Sequence, residues 1–418
     1  MTPPKRPVVA VVDPVSTGSQ LAEEFARRGW DTVAAFTPGQ MPAAYRQAFR
    51  PERYRAVIDL GSVADPAAEV SLHQPSLVIT GSEWGVRAAD ELAERLGLLG
   101  NGTRLSLSRR DKYAMAEQLR LAGVDAAEST VCDDVEKMID WADAGGHWPL
   151  VVKPLASAGS DSVAICADEA QARAAFARIH RRTDQMGNFN ERVLAQEFLA
   201  GDQYFVNTVS RDGLHFVHEI WREQRASVGG AVVYDYQDLL APDGDPQRDL
   251  AAYVVRVLDA LGIAHGPAHA EVMLTSRGPV LIEIGARLEG AVTSRGPRAA
   301  TGHSQVSLTV DAYTDPAAFA RLPGTDYRLL RSLRVVCLIA PQDGHLAAGP
   351  LEEVRALPSY LCGSIDLLAG GNEVRPTVDL FSSPGHLYLL GGREQIEHDY
   401  RRVREIEQAG LYQGEPAG

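Results

Sequence analysis

The chain of 418 residues is short of lysine, cysteine and net positive charge. Lys and Arg total 41, yet the lysines are Lys5, Lys112, Lys137 and Lys153 alone. Fifty-five acidic residues (Asp+Glu 55) bring the net charge to −14, which argues against nucleic acid as a main partner. The four cysteines, Cys132, Cys166, Cys337 and Cys362, show no metal or redox spacing and read as reduced thiols of a cytoplasmic protein. No apolar run reaches the length of a membrane span, and the N-terminal MTPPKRP lacks the apolar core of a secretory signal. A Gly-Lys-Ser/Thr leading into a helix is missing, which excludes a P-loop, and so is the glycine fingerprint of dinucleotide binders.

What is present is a soluble composition, 45% apolar and 23% charged, on a chain long enough for two to four domains. Where a generic cation suffices, this chain uses arginine. A lysine that persists is therefore biased toward sites that need a compact charge on a flexible stem.

Residues 7–12, PVVAVV, predict a buried parallel strand, followed by a helix over 19–28 and a strand over 32–36. That βαβ unit implies a doubly wound sheet, with further strands at 56–58 and 77–79. Glu83 lies in the loop at the carboxyl end of the last strand, where open sheets bind ligands. It reads either as a helix N-terminal carboxylate or as a contact for a substrate amine.

From Ser106 the character changes. Ser108 and Asp111 read as a capping box for a helix whose first turn holds Lys112, a solvated lysine or a phosphate ligand. The stretch PLVVKPLASAGSDSV follows: a short strand ending in Lys153, a loop of small residues containing Ser157, Gly159 and Ser160, and a returning strand at 163–165. Small side chains let backbone N–H groups approach phosphate oxygens, and the lysine adds a point charge. A surface hairpin is the alternative.

Strands are expected at 193–199 and 204–210, with a hairpin to 214–221 and a polar, mobile connection over 222–233. A helix is expected over 249–261. Period two places His269, Glu271 and Met273 on one face of 268–274, and Leu281, Glu283, Gly285 and Arg287 on one face of 280–287. A carboxylate flanked by apolar residues is costly to bury unless paired. Glu271 and Glu283 together read as ligands for Mg²⁺, or Glu283 and Arg287 as an exposed salt bridge. The tail predicts strands at 334–339, 364–368 and 386–390 and a helix over 395–408.

Taken jointly, Asp111-Lys112-Tyr113, VVKPLASAGSDSV, QEFLAGDQYFVNTV, HGPAHAEVML and EIGARLEG resemble the ATP-grasp superfamily, in its L-amino-acid ligase (dipeptide synthetase) branch. The resemblance implies an α/β and α+β multidomain chain. A Rossmann-like pre-ATP-grasp domain would span 1–105, a two-lobed ATP-grasp domain 106–316 and a C-terminal ligase-type domain 317–418. It implies ATP as substrate and Mg²⁺ as cofactor, with Mn²⁺ able to substitute. Lys112 and Lys153 would hold the α- and β-phosphates, and 157–162 would close over the triphosphate. Glu197, Phe198 and Leu199 would meet adenine. Gln203 stands where the family usually has a glutamate on the ribose, and Gly285 where many members have an asparagine on the metal.

Arg287 would hold the transferred phosphate, beside a substrate-facing or second-layer His269. Substrate contacts would come from Glu83, Trp221 and Arg222, and Arg222 and Arg225 would meet the γ-phosphate or a substrate carboxylate. The implied reaction joins an amino-acid carboxylate to an amine through an acyl-phosphate, in cytoplasmic specialised metabolism, with small-molecule amino-acid substrates and a homodimer. A carboxylase acting through carboxyphosphate and a non-catalytic nucleotide-binding homologue are the alternatives.

Overall fold

The computed structural model describes residues 5–413 except 40, 42–44, 46–47, 160, 229–230, 291, 323, 325–326 and 381. Strands β1 (Val8–Val12), β2 (Asp31–Phe36), β3 (Ala56–Asp59) and β4 (Leu77–Thr80) form a parallel sheet in the order β3-β2-β1-β4. β1 is buried along its whole length because both sheet faces are covered. The loops after β1 and β4 meet at glycines. A Cβ on Gly18 would lie 1.9 Å from the Gly81 carbonyl oxygen, so only this residue lets the two loops touch.

Strands β5 (Ser129–Cys132), β6 (Leu150–Lys153), β7 (Ala164–Cys166) and β8 (Val193–Glu197) form an antiparallel sheet in the order β5-β8-β6-β7. Helices Val135–Gly145 and Glu169–Ile179 pack on it through Met138, Ala172, Ala175 and Phe176. β6 and β7 are the expected lysine hairpin, with Leu150 opposite Cys166.

The third sheet has eight strands in the order β13-β12-β9-β10-β11-β14-β18-β16. They are β9 (Gly201–Arg211), β10 (Leu214–Val228), β11 (Ala231–Leu239), β12 (Gly266–Thr275), β13 (Gly278–Gly285), β14 (Ser332–Cys337), β16 (Tyr360–Gly363) and β18 (His386–Gly391). The short β15 (Gly344–Leu346), β17 (Glu373–Val374) and β19 (Tyr412–Gln413) form a separate ribbon. One face of the long sheet buries Val206, Ile220, Ala270 and Val272 in a core that includes Leu250, Val254 and Val257 of helix Asp245–Ala260. The other face floors the cleft described below.

The structure corrects four local expectations. The stretch 222–233 is no loose connection: most of it belongs to β10 and β11, which pair from Trp221–Leu239 outward to Val228–Ala231. Its charged residues alternate between faces and bond to neighbours, which satisfies a strand as well as a loop. Asp111, not Ser108, caps helix Lys112–Leu121, accepting from the N–H groups of Tyr113 and Ala114. Ser364–Leu367 is a helical turn rather than a strand, closed by Asp366 accepting from the Gly363 N–H. In β13 the pairing shifts, with Glu271 opposite Glu283 but Val272 opposite Leu281. Ile282 is the extra residue of that bulge. Leu281 therefore turns into the helix-side core instead of lying beside Glu283.

Candidate active site

Antiparallel register sets the floor. Glu283 of β13 lies opposite Glu271 of β12, which lies opposite Phe205 of β9, which lies opposite Trp221 of β10. In the adjacent row His269, Asn207 and Glu219 follow one another across the same three strands. On the other side Glu223 leads through Gln237 and Val335 to Tyr388. A cleft of about 170 Å³ opens over this floor. Its wall includes Glu83 and Trp84 from the first sheet, Gly159 from the lysine hairpin, Arg287 and Glu289 after β13, and Cys337, His386 and Tyr388 from the tail.

At the β13 end, charge is dense and paired. Lys112 Nζ lies 2.8 Å from Glu283 Oε2 and donates to the Ser157 carbonyl at 2.6 Å. Glu83 accepts from Arg287 Nε at 2.7 Å and also pairs with Arg110. Burial alone would raise the Glu83 carboxyl, but Arg110 and Arg287 outweigh it and hold it at about 2. Lys153 is buried, and burial together with the neighbouring Lys112 pulls it down to about 8 against the attraction of Glu283 and Glu271. Burial works against the Glu271 carboxylate too, yet contacts with His269, Arg225 and Arg287 keep it below the usual range.

Two carboxylates directly opposite on neighbouring strands repel unless a cation lies between or beside them. Among the described residues no group of three or more His, Cys, Asp or Glu side chains gathers for a metal ion. The Glu271–Glu283 pair, all oxygen and open to the cleft, fits a hard divalent cation that keeps its other positions for water and phosphate oxygens. The departure at Gly285 also has a geometric reason. A Cβ there would come within 2.9 Å of both the Glu83 carboxylate and the Arg287 guanidinium, so their ion pair occupies the space a side chain would need.

The remaining predicted residues divide. Ser157 Oγ donates to Asp161 Oδ2 at 2.7 Å, and Gly159 lines the cleft in a left-handed conformation (φ +68°). Ser160 lies outside the described residues. His269 lines the cleft, with Nδ1 2.8 Å from Asn207 Oδ1 and Nε2 3.8 Å from Glu271 Oε1. Gln203 Nε2 donates to Glu271 Oε2 at 3.0 Å, so its amide nitrogen is engaged. The Glu197 carboxylate faces Arg277 and accepts from the Glu128 N–H at 2.9 Å, while Phe198 is exposed and Leu199 buried.

Three substrate assignments change. Glu83 spends its carboxylate on two arginines rather than facing a free amine. Trp221 is buried, absent from the cleft wall, and donates through Nε1 to Glu219 at 2.9 Å. Arg222 alternates to the opposite face of β10 from Trp221 and Glu223, where it is exposed beside Asp202 at 3.3 Å.

Sequence reasoning missed Arg110, Asn207, Glu219, Glu289 and the tail's contribution. Asn207 and Glu219 carry a usable signal: each is a polar residue at an inward position of an alternating strand. Asn207 Nδ2 donates to both Glu219 and Glu289, at 2.8 and 2.5 Å. Arg110 carries none, because its importance exists only once Glu83 arrives from a different sheet.

Known proteins match this arrangement along its length. An ATP-grasp domain family matches residues 147–295. Dapdiamide A synthase of Enterobacter agglomerans is 35% identical over 409 residues, 96% of each chain. The L-arginine-specific L-amino acid ligase of Bacillus subtilis is 21% identical over 245 residues, covering 57% of this chain and 58% of that one. Among solved structures, an L-amino acid ligase from Bacillus licheniformis superposes with a TM-score of 0.74 at 20% identity, covering 96% of this chain and 98% of that one. A carboxyaminoimidazole ribonucleotide synthase from Aspergillus clavatus complexed with ATP gives 0.72 at 12%, covering 97% and 99%.

Proposed function

The chain belongs to the ATP-grasp ligases and forms an amide bond at the expense of ATP, and from that premise we propose how its residues divide the work. An amino-acid carboxylate attacks the γ-phosphorus of ATP, giving an acyl-phosphate and ADP. An amino group then attacks the acyl carbon, the new C–N bond forms, and phosphate leaves as the ammonium proton is lost.

Two anions must be brought together in the first step, so neutralising charge is the main task. Lys112 and Lys153 hold the nucleotide phosphates, and Arg287 holds the phosphoryl group in transfer. Glu83 and Arg110 keep Arg287 in one orientation. Glu271 and Glu283 hold Mg²⁺, which shields the repelling oxygens when bound. Mn²⁺ can replace it. Closure of the Ser157–Ser162 loop keeps water from the acyl-phosphate. Adenine lies against Phe198 and Leu199, with the Glu197 carboxylate bracing the hinge through Arg277. A cytoplasmic location and a homodimer complete the proposal.

The observation that carries it is the opposed Glu271–Glu283 pair, which lines one cleft with Arg287 while Lys112 pairs with Glu283. The test is ADP and phosphate release from Mg-ATP with common amino acids, singly and in pairs, with mass analysis of products. Release that requires two amino acids, with a product lighter than their sum by one water, is expected. Release that depends on bicarbonate instead would establish the carboxylase reading. Binding of ATP with no release under any pairing would establish the non-catalytic one.

A further inference from the structure

Beside the cleft floor lies a cation that phosphoryl transfer does not employ. Arg225 lies on β10 in register with Tyr234 of β11. Its Nε donates to Glu223 Oε1 at 2.5 Å, and its guanidinium carbon lies 4.4 Å from the centre of the Tyr234 ring. Glu223 is buried, and its other oxygen has no hydrogen-bond partner among the described residues. One edge and one face of the guanidinium are thus fixed by neighbours. Its two Nη groups make no hydrogen bond or ion pair among the described residues.

Arg225 does not itself line the cleft wall but stands directly behind it. Tyr234, Gln237 and Cys337, its neighbours on β11 and β14, line the wall. Its charge also acts on Glu271 farther along the floor. A guanidinium locked at Nε and stacked on a ring offers its Nη pair as a planar fork, and a carboxylate matches that fork with two parallel hydrogen bonds.

The ligase reaction involves two carboxylates. One is consumed and needs its oxygen free to attack phosphorus beside Arg287. An oxygen held on Arg225 could not do so. The other belongs to the amine-donating amino acid and emerges unchanged. We propose that Arg225, braced by Glu223 and Tyr234, binds the carboxylate of the amine-donating amino acid. The assignment rests on the ligase reading above. It gives the cleft two anion subsites on one sheet face, with the reacting amine held between them.

Two measurements separate this from a phosphate-binding role. The first compares common L-amino acids with their primary amides as amine donors for the wild-type protein. At least a tenfold preference for the free acid is expected, and equal use overturns the proposal. The second traps the activated acyl group with hydroxylamine, which has no carboxylate, in wild type, Arg225→Gln and Arg225→Lys. Loss of a bidentate charged pair predicts about a hundredfold fall in kcat/KM for the amino-acid donor in Arg225→Gln, with partial recovery in Arg225→Lys. Hydroxamate formation and the KM for ATP stay within about threefold, as expected when only amine-donor binding is lost. Loss of hydroxamate formation in both variants overturns the proposal by moving Arg225 to the phosphate side. A wild-type protein that makes neither hydroxamate nor amide with any pair overturns the ligase reading itself and this assignment with it.

Discussion

One sheet face treats charge in two ways. At the β13 end Glu83, Arg110, Lys112, Glu283 and Arg287 each lie against an oppositely charged partner. Toward β10, β14 and β18 burial instead favours the neutral form of several groups. Burial, aided by Glu289, pushes Glu219 up to about 8, and burial drives its neighbour His218 down to about 3. Burial likewise lifts Cys337 to about 12 and lowers His386 to about 4. Paired charge suits a place where a polyphosphate must be held and its charge redistributed. Neutralised groups suit a wall that only has to shape a substrate.

The sharpest way to break the contrast is to unbalance the paired end. Glu283→Ala removes a carboxylate from the cation site and leaves Lys112 without its partner. ADP release in the presence of substrates should fall about a thousandfold, with unchanged circular dichroism. Near-normal turnover would show that the opposed carboxylates are not the metal site.

Next in size is Gly285→Asn, which installs the metal-side asparagine that the family resemblance led us to expect there. Here it must displace the Glu83–Arg287 pair, so turnover should drop about tenfold to a hundredfold rather than improve. A gain in activity would mean that Arg287 does not need that brace.

The third effect is one of pH. Lys153 stands at about 8 in the ligand-free protein, below the ordinary lysine value. With the sign worked out, the ligand-free fold loses stability as pH falls from the lysine range to about 8. Nucleotide affinity runs the other way, because phosphate needs the ammonium form. The Kd for ATP should rise about tenfold per pH unit above 8 in titrations, as for any single required proton. A flat profile from pH 7 to 9 would remove Lys153 from the nucleotide site.

The smallest effect tests the neutral region. Glu219 is raised, so its contribution to stability is complete below the unfolded carboxyl value and is lost as pH rises through about 8. Glu219→Gln mimics the protonated group. Thermal unfolding should then be independent of this group between pH 5 and 8, with a melting point a few degrees above wild type at pH 8. An unchanged pH dependence would show that Glu219 is ionised in the fold.

Legibility in the sequence followed the same division. The lysine hairpin, the two carboxylates and most strands rest on short-range signals: period two, glycine turns and a charge inside an apolar run. Those signals survive folding because they belong to one or two elements. The brace on Arg287 does not, since Glu83 follows β4, Arg110 precedes a helix and Gly285 ends β13. Nothing local marks their meeting. Trp221 misled for the opposite reason: an aromatic beside a polar stretch suggests a binding surface, but this one is buried with its indole N–H on Glu219. Strand 222–228 was obscured because its charges pair within the sheet.

The pairing of β11 with β14 has a consequence during synthesis. Tyr236 finds its partner in Val336, which is made 100 residues later. At translation rates of about 5–20 residues per second, the growing chain presents an unfinished sheet margin for roughly 5–20 seconds. Bare margins of this kind recruit other chains, and charged side chains along them discourage it. Asp235 and Asp238 lie on that margin, and each later receives an arginine: Arg404 on Asp235 and Arg334 on Asp238. The same two aspartates thus guard the nascent edge before the tail exists and fasten the tail once it arrives.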